Sequence, residues 1–413
     1  MLDEVIEKSL LDKSYYSNPY PLFQQLRSAA PIMKSEVIGG WLLTRHSDCD
    51  TVLKDSETFS SKGRITHLLN QLGPEIQPEL ELLHFHFARG LAHSDAPEHR
   101  RLRGLIARAF TPKMIGNLRP RVRQIVDSQV RQLNSEADLI EDLLTPVPAL
   151  VVGELLGSTP SDIPNLIRWA HAINGLYEKG GRISAEKALH AEAMLGEMRE
   201  FVRELVRERE AKKSRGSLIG DEDVVSALVA SDEDALSEDE LLSTAVTLFV
   251  AGHETTTHLL GNGWFALLTR PEIIQRLRQD PNLIENVVEE MARFDGSVPR
   301  SWRIAKRETV ISGVTIPAGD LVLPILAAAN HDPEIFVNPD EFLPERDSRK
   351  HLAYGKGVHV CLGAPLARIE AQEIIASLIQ NFARIDLNDE PERLKWREDL
   401  ALRGLLNLPV RLS

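Results

Sequence analysis

Cysteine is almost missing from this chain: its 413 residues hold only Cys49 and Cys361. Two isolated thiols cannot make the framework that staples small secreted domains, so the sequence points to a reducing compartment and to a fold held by core burial. Also missing is any run of about 18 apolar residues, which excludes a membrane-spanning helix. The opening MLDEVIEKSLLDKS carries acidic residues where a signal peptide needs an apolar stretch, and a cytoplasmic location is expected. No Gly/Ser-rich or Pro-rich linker and no internal repeat offers a place to cut, so one domain over residues 1–413 is expected. A basic excess is missing too: 61 acidic against 48 basic residues leave a net charge of -13. That balance argues against a nucleic-acid partner, because binding phosphates needs a basic footprint.

One local absence runs the other way. Between His99 and Val126 there is no Asp or Glu, while Arg100, Arg101, Arg103, Arg108, Lys113, Arg119, Arg121 and Arg123 accumulate. Such a segment in an acidic protein serves either an anionic cofactor or partner, or a solvated helix face, and charge patterning leaves both open.

What is present is mostly helical. Residues 185–213 follow a cap at Ser184 and place Leu195, Met198, Val202 and Leu205 on one face. A second helix opens with the capping box Ser237 to Glu240 and runs through LLSTAVTLFVAGHETTTHLLGNGWFALLT to a stop before Arg270 and Pro271. Being apolar nearly all round, it is expected to be a buried central helix. The polar GHETTTH in its middle is costly to bury unless satisfied. Short β signals lie near residues 39–44 and from 308 to 326, where Ser312-Gly313 and Pro317-Ala318-Gly319 make turns. The expected fold is a mainly α body with small β-sheets.

Cys361 lies in YGKGVHVCLG (Tyr354 to Gly363), just before the helical LGAPLARIEAQEIIASLIQNF, whose Leu366, Ile369, Ile374, Leu378 and Phe382 offer a core face. Free N–H groups and the positive dipole end at a helix start favour a thiolate and are expected to lower its pKa. Gly355, Gly357 and Gly363 let something flat and bulky approach the backbone. One cysteine without a CxxC or a close His pair cannot close a zinc site. His359, two residues away on an extended segment, points the same way as Cys361 rather than facing it as a protease base. A lone thiolate suits iron held by a macrocycle. Cys49, beside a surface helix start, reads as an inert thiol.

These ten residues resemble the haem-binding loop of the cytochromes P450, Phe-Gly-x-Gly-x-His-x-Cys-x-Gly, and differ only in Tyr354, whose hydroxyl near the sulfur is expected to alter redox potential. The resemblance implies haem b with Cys361 as its iron ligand and the loop residues Gly355 and Gly363 against it. Ala251, Gly252, His253, Glu254, Thr255 and Thr256 are similar to the family's oxygen-activating sequence. Gly252 would leave room for a diatomic ligand, Thr255 would donate a hydrogen bond to bound oxygen, and Glu254 would relay protons. Glu290 and Arg293 resemble the family's Glu-x-x-Arg, which Arg346 completes as a structural triad holding the cysteine loop. His99 and Arg103 match its His-x-x-x-Arg, and with Arg303 and His359 would contact the propionates. The remaining Arg100, Arg101, Arg108 and Lys113 would form part of a docking surface for an acidic redox partner. The likeness runs from Asn18 to the C-terminal LRGLLNLPVRL, nearly the whole chain.

What the resemblance implies is the family's triangular helical body, with the cofactor between the central helix and the helix after Cys361. The implied activity is hydroxylation or epoxidation of a mainly apolar small molecule of terpenoid, steroid, fatty-acid or polyketide type, using O2 and electrons from a separate ferredoxin and ferredoxin reductase. A peroxide-driven peroxygenase and a haem-thiolate sensor or ligand carrier are the alternatives, and the acid-Thr pair weighs against both. The implied pocket draws on RITHLLNQLGPEIQPELELLHFHFARG (64–90), Thr247, Val250, Ala251, Pro299, Arg300, Leu405 and Leu406. Arg300 is expected to face a substrate carboxylate.

Overall fold

The computed structural model describes residues 2–108, 110, 112–177, 181–217, 223–230 and 236–413, with the backbone alone for residues 2–5, 112 and 113. The expected role of Lys113 therefore lies outside the described side chains.

The central helix, Glu238–Leu268, begins where its chemistry says it should. The Ser237 hydroxyl accepts the N–H of Glu240, and the Glu240 carboxylate accepts the N–H of Ser237 at 2.8 Å, so two backbone donors that a helix start leaves unpaired are satisfied reciprocally. Its apolar surface is covered on several sides. Pro146–Leu155, Ile163–Asn174 and Ala185–Ser214 pack against it, as does Ile284–Asp295. Ala185–Ser214 buries Leu195, Met198, Val202 and Val206; the expected Leu205 is only half-buried, because at 100° per residue the stripe has drifted onto its neighbour by that turn. The helix after the cysteine, Ala364–Asn381, starts at Gly363 with Pro365 in its first turn and packs on Pro112–Val130 and Ile284–Asp295.

Small sheets surround this body. The largest has the order Ile32–Ser35, Gly40–Leu43, Leu321–Pro324, Arg303–Ala305, Phe59–Ser60, antiparallel except where Gly40–Leu43 runs parallel to Leu321–Pro324. Thr309–Ile311 and Val314–Ile316 form a hairpin turning at Ser312 and Gly313, both at positive φ. The mainly α architecture with small sheets is as expected. Cys49 is not at the surface: it is fully buried within His46–Lys54, where its thiol donates to the Leu43 carbonyl at 3.3 Å and burial pushes its pKa well up.

Glu290, Arg293 and Arg346 meet as one buried network. Arg293 grips both carboxylate oxygens of Glu290 at 2.7 Å, and Arg346 Nε adds a contact at 3.2 Å. The remaining donors of Arg293 go to the carbonyls of Asn330, Pro339 and Glu341, so no proton of this guanidinium is wasted in the interior. The Asn330 side chain in turn accepts the N–H of Leu352 at 2.7 Å, two residues before Tyr354. The chain of contacts thus ends at the entry to the cysteine loop.

Candidate active site

Between the central helix and the cysteine loop lie two overlapping hollows of about 340 and 440 Å³. Both are lined by Cys361, Gly355, His359 and Gly363 on one wall, and by Ala251, Gly252 and Thr256 on the other. Thr247, Ala251 and Thr255, spaced four apart, share the helix face turned to this space.

The cysteine loop is held from behind. The N–H of Cys361 donates to the Tyr354 carbonyl at 2.9 Å. Gly357 sits at φ 69°, and a Cβ there would stand 2.6 Å from the Leu53 carbonyl oxygen, so only glycine fits. Arg368 lies over the Tyr354 ring while holding Glu289, which also accepts from His351 at 3.2 Å. The Tyr354 hydroxyl is buried without a hydrogen-bond partner. The exposed surface of Cys361 is the part that lines the hollows. Burial pushes its thiol pKa up, and the N–H groups of Gly363 and Ala364 offset this only in part. The expected lowering by the helix start is therefore outweighed.

His99, Arg103, Arg303 and His359 come together at one edge. The two imidazoles lie 4.1 Å apart, Arg103 donates to the Val360 carbonyl at 2.7 Å, and Arg303 donates to the Trp302 carbonyl at 2.7 Å. The His99 Nε2 is buried with no hydrogen-bond partner among the described residues. Desolvation lowers Arg303 to about 10 and His359 to about 3, the second helped by His99 and Arg303 beside it. Among the described residues lining the two hollows the one acid is Glu370, which burial pushes up to about 8, so it is neutral at pH 7.

Glu254 does not line this space. It is buried on another face of the central helix, with Arg397 Nη1 at 2.6 Å and His258 Nε2 at 3.8 Å. Burial alone would raise its carboxyl; His258 and Arg397 outweigh burial and hold it at about 2. Neither partner was singled out from the sequence: Arg397 approaches from 143 residues away. Thr255, one residue on, does line the larger hollow, and its hydroxyl donates to the Ala251 carbonyl. Gly252 has a packing reason beside the expected one: a Cβ there would stand 2.9 Å from Val152 Cγ2.

The structure brings some of the expected pocket residues to the hollows and places others elsewhere. Thr247 and Arg300 line the hollows, as does Arg64 at the start of the 64–90 segment. Val250 does not: it is buried in the core, and its backbone carbonyl accepts from the Asn174 side chain at 3.3 Å. Pro299 borders a separate small crevice, and its carbonyl is taken by the Ala327 N–H. Leu405 is in the core and Leu406 is on the surface, since consecutive residues of an extended segment point opposite ways. Among the basic residues of 99–126, Arg101 is paired with Glu98 and Glu240, Arg119 and Arg123 with Glu373, and Arg121 with Glu154, which leaves Arg100 and Arg108 exposed.

A thiol facing a helix across a hollow with Arg103 and Arg303 at one edge defines a haem-thiolate class of site, and comparison with known proteins agrees. Residues 184–407 match the family model described as Cytochrome P450. Cytochrome P450 monooxygenase PikC of Streptomyces venezuelae is 36% identical, over 98% of this chain and 94% of its own length. The polyketide biosynthesis cytochrome P450 PksS of Bacillus subtilis is 33% identical over 97% of each. Among solved structures, P450BioI in complex with hexadec-9Z-enoic acid ligated acyl carrier protein aligns with a TM-score of 0.87 at 32% identity, covering 97% of this chain and all of that one. The chain belongs to the cytochrome P450 family, whose members bind haem and act as monooxygenases. Among the described residues no helix is long and apolar enough to cross a membrane.

Proposed function

We propose that this chain holds haem b through Cys361 and inserts one oxygen atom of O2 into a mainly apolar small molecule, with electrons from a separate ferredoxin and its reductase. The observation that carries the reading is the hollow itself, with one thiol on its floor, a helix face of small residues opposite, and the cations Arg103 and Arg303 at one edge. The residues fit the cofactor: the orphaned His99 Nε2 and the cations Arg103 and Arg303 call for anionic groups such as two propionates. Bound there, a thiolate-ligated haem supplies the chemistry of reductive oxygen activation.

The chain's own residues position and protect. Thr255 carries a hydroxyl at the hollow, and its hydrogen bond to Ala251 fixes where that proton points. Glu254, ionised and tied to Arg397 on another face of the helix, holds no proton at neutral pH and serves the relay only by accepting one from the solvent side before passing it toward the threonine. Leu248, Ala92 and Leu259 keep the walls apolar. Arg100 and Arg108 offer exposed cations to an acidic electron donor. The polyketide setting in the name of PksS and the polyketide-type substrate in the name of 6-deoxyerythronolide B hydroxylase, 32% identical over 97% of this chain, support a bulky apolar substrate.

The test is turnover under ¹⁸O2 with ferredoxin, reductase and NADPH. One labelled oxygen in the product is expected, with product yield per electron falling in Thr255→Ala. Full turnover by peroxide without the electron donors, and none with them, would overturn the reading in favour of a peroxygenase.

A further inference from the structure

The larger hollow contains two cations outside the cluster of His99, Arg103, Arg303 and His359. Arg300 is 3% exposed, yet its Nε and Nη1 have no hydrogen-bond partner among the described residues. The Nε and Nη2 of Arg64 are likewise buried and unpartnered. Both side chains line the same space as Gly252, Thr255 and Cys361, and no Asp or Glu is among the described residues lining it. Burying guanidinium N–H groups without an acceptor is costly, and for Arg64 a hydrogen bond to Tyr177 offsets only part of the desolvation. Arg64 stacks on Trp302 and lies 5.1 Å from the Tyr177 ring, but ring faces leave the in-plane donors of a guanidinium free.

These two are distinct from the edge cluster. After desolvation, Arg64 feels Tyr177, which favours its charge, and Arg300, which opposes it, and His93 beside them is held neutral, at about 4, by desolvation and by Arg64. Arg303, in contrast, feels Asp95. Arg64 also lines an outer cleft of about 910 Å³ with Lys62, His67 and Arg182 and the acids Glu36 and Asp320, so it stands where the surface cleft meets the inner space.

We propose that Arg64 and Arg300 together receive a carboxylate on the substrate, so that the molecule oxidised is an apolar acid. Two guanidinium forks match the two oxygens of one planar carboxylate, while Ala92, Leu259, Val298 and Leu326 accept its hydrocarbon part. The location relative to the oxidised carbon rests on the haem-thiolate reading above; the acid preference does not.

Dodecanoate and methyl dodecanoate, titrated into the haem-loaded protein and followed by the haem absorption shift and by calorimetry, test this directly. The acid is expected to bind about tenfold or more tighter than the ester, with that preference lost in Arg64→Leu/Arg300→Leu while ester affinity stays within about threefold, as for a charge pair lost at constant apolar contact. Equal affinity for acid and ester in the wild type, or a preference that survives in the double variant, overturns the receptor. The wild-type comparison decides even if a variant fails to take up haem. A wild type that discriminates by calorimetry but lacks a thiolate spectrum would instead sink the monooxygenase reading and leave the receptor standing.

Discussion

A Cβ at Gly252 would meet Val152 Cγ2 at 2.9 Å, and a helical valine is held almost entirely to one rotamer, so the neighbour cannot turn aside. Gly252→Ala is therefore expected to destabilise by about 1–3 kcal/mol through overpacking, and Val152→Ala in the same chain to recover part of it. Denaturant unfolding of the single and double variants checks this, and a Gly252→Ala protein as stable as wild type contradicts it. Glu254 makes a pH-dependent contribution of known sign. Its carboxyl is lowered from 4.5 to about 2, so its stabilisation is whole above pH 4.5, fades as pH falls toward 2 and is gone below. Comparing the unfolding free energy of wild type and Glu254→Gln across that window should show the difference shrink by at most about 3 kcal/mol; a constant difference contradicts the pairing. Thr255 and Cys361 are legible in the sequence because their chemistry is written in adjacent residues. Val250, Leu405 and Leu406 are not, since which side of a helix or strand faces the hollow is set by neighbours remote in the chain.

The elements that frame the site depend on buried ion pairs more than their sequence shows. Arg293→Ala would leave Glu290 buried and charged, with only Arg346, Ser348 and the Leu343 N–H around it. A loss of about 3–5 kcal/mol is expected, as for other buried pairs with one partner removed. Because the network ends at Leu352, haem content should fall with it; unfolding and pyridine haemochrome content measure both, and unchanged values for each would refute the link. The central helix is legible from its capping box and its all-round apolarity. Glu290 and Arg293 are legible as a helical pair three apart, whereas the reach of Arg397 to Glu254 and of Arg64 toward the Arg300 side of the hollow is a product of folding that no local spacing encodes.

At the scale of the whole molecule, a net charge of -13 sits against the two exposed arginines of the 99–126 segment that no acid pairs among the described residues, Arg100 and Arg108. If they meet the electron donor, Arg100→Glu/Arg108→Glu should slow reduction by ferredoxin about tenfold or more at low salt and less at high salt. Stopped-flow reduction measures it, and a rate unchanged at both salt levels moves the docking face elsewhere. The mainly α architecture is visible in the sequence from periodicity and capping, while the arrangement of helices around the hollow is visible there only through likeness to the P450 family, because packing between distant segments leaves no local pattern. Everything converges on the atom that ties fold to chemistry. The deciding measurement is the reduced, CO-bound absorption spectrum of the haem-loaded protein beside Cys361→His. A strongly red-shifted Soret band in the wild type, lost in the variant, is the predicted result. A histidine-like band in the wild type, or no haem uptake at all, would contradict the account.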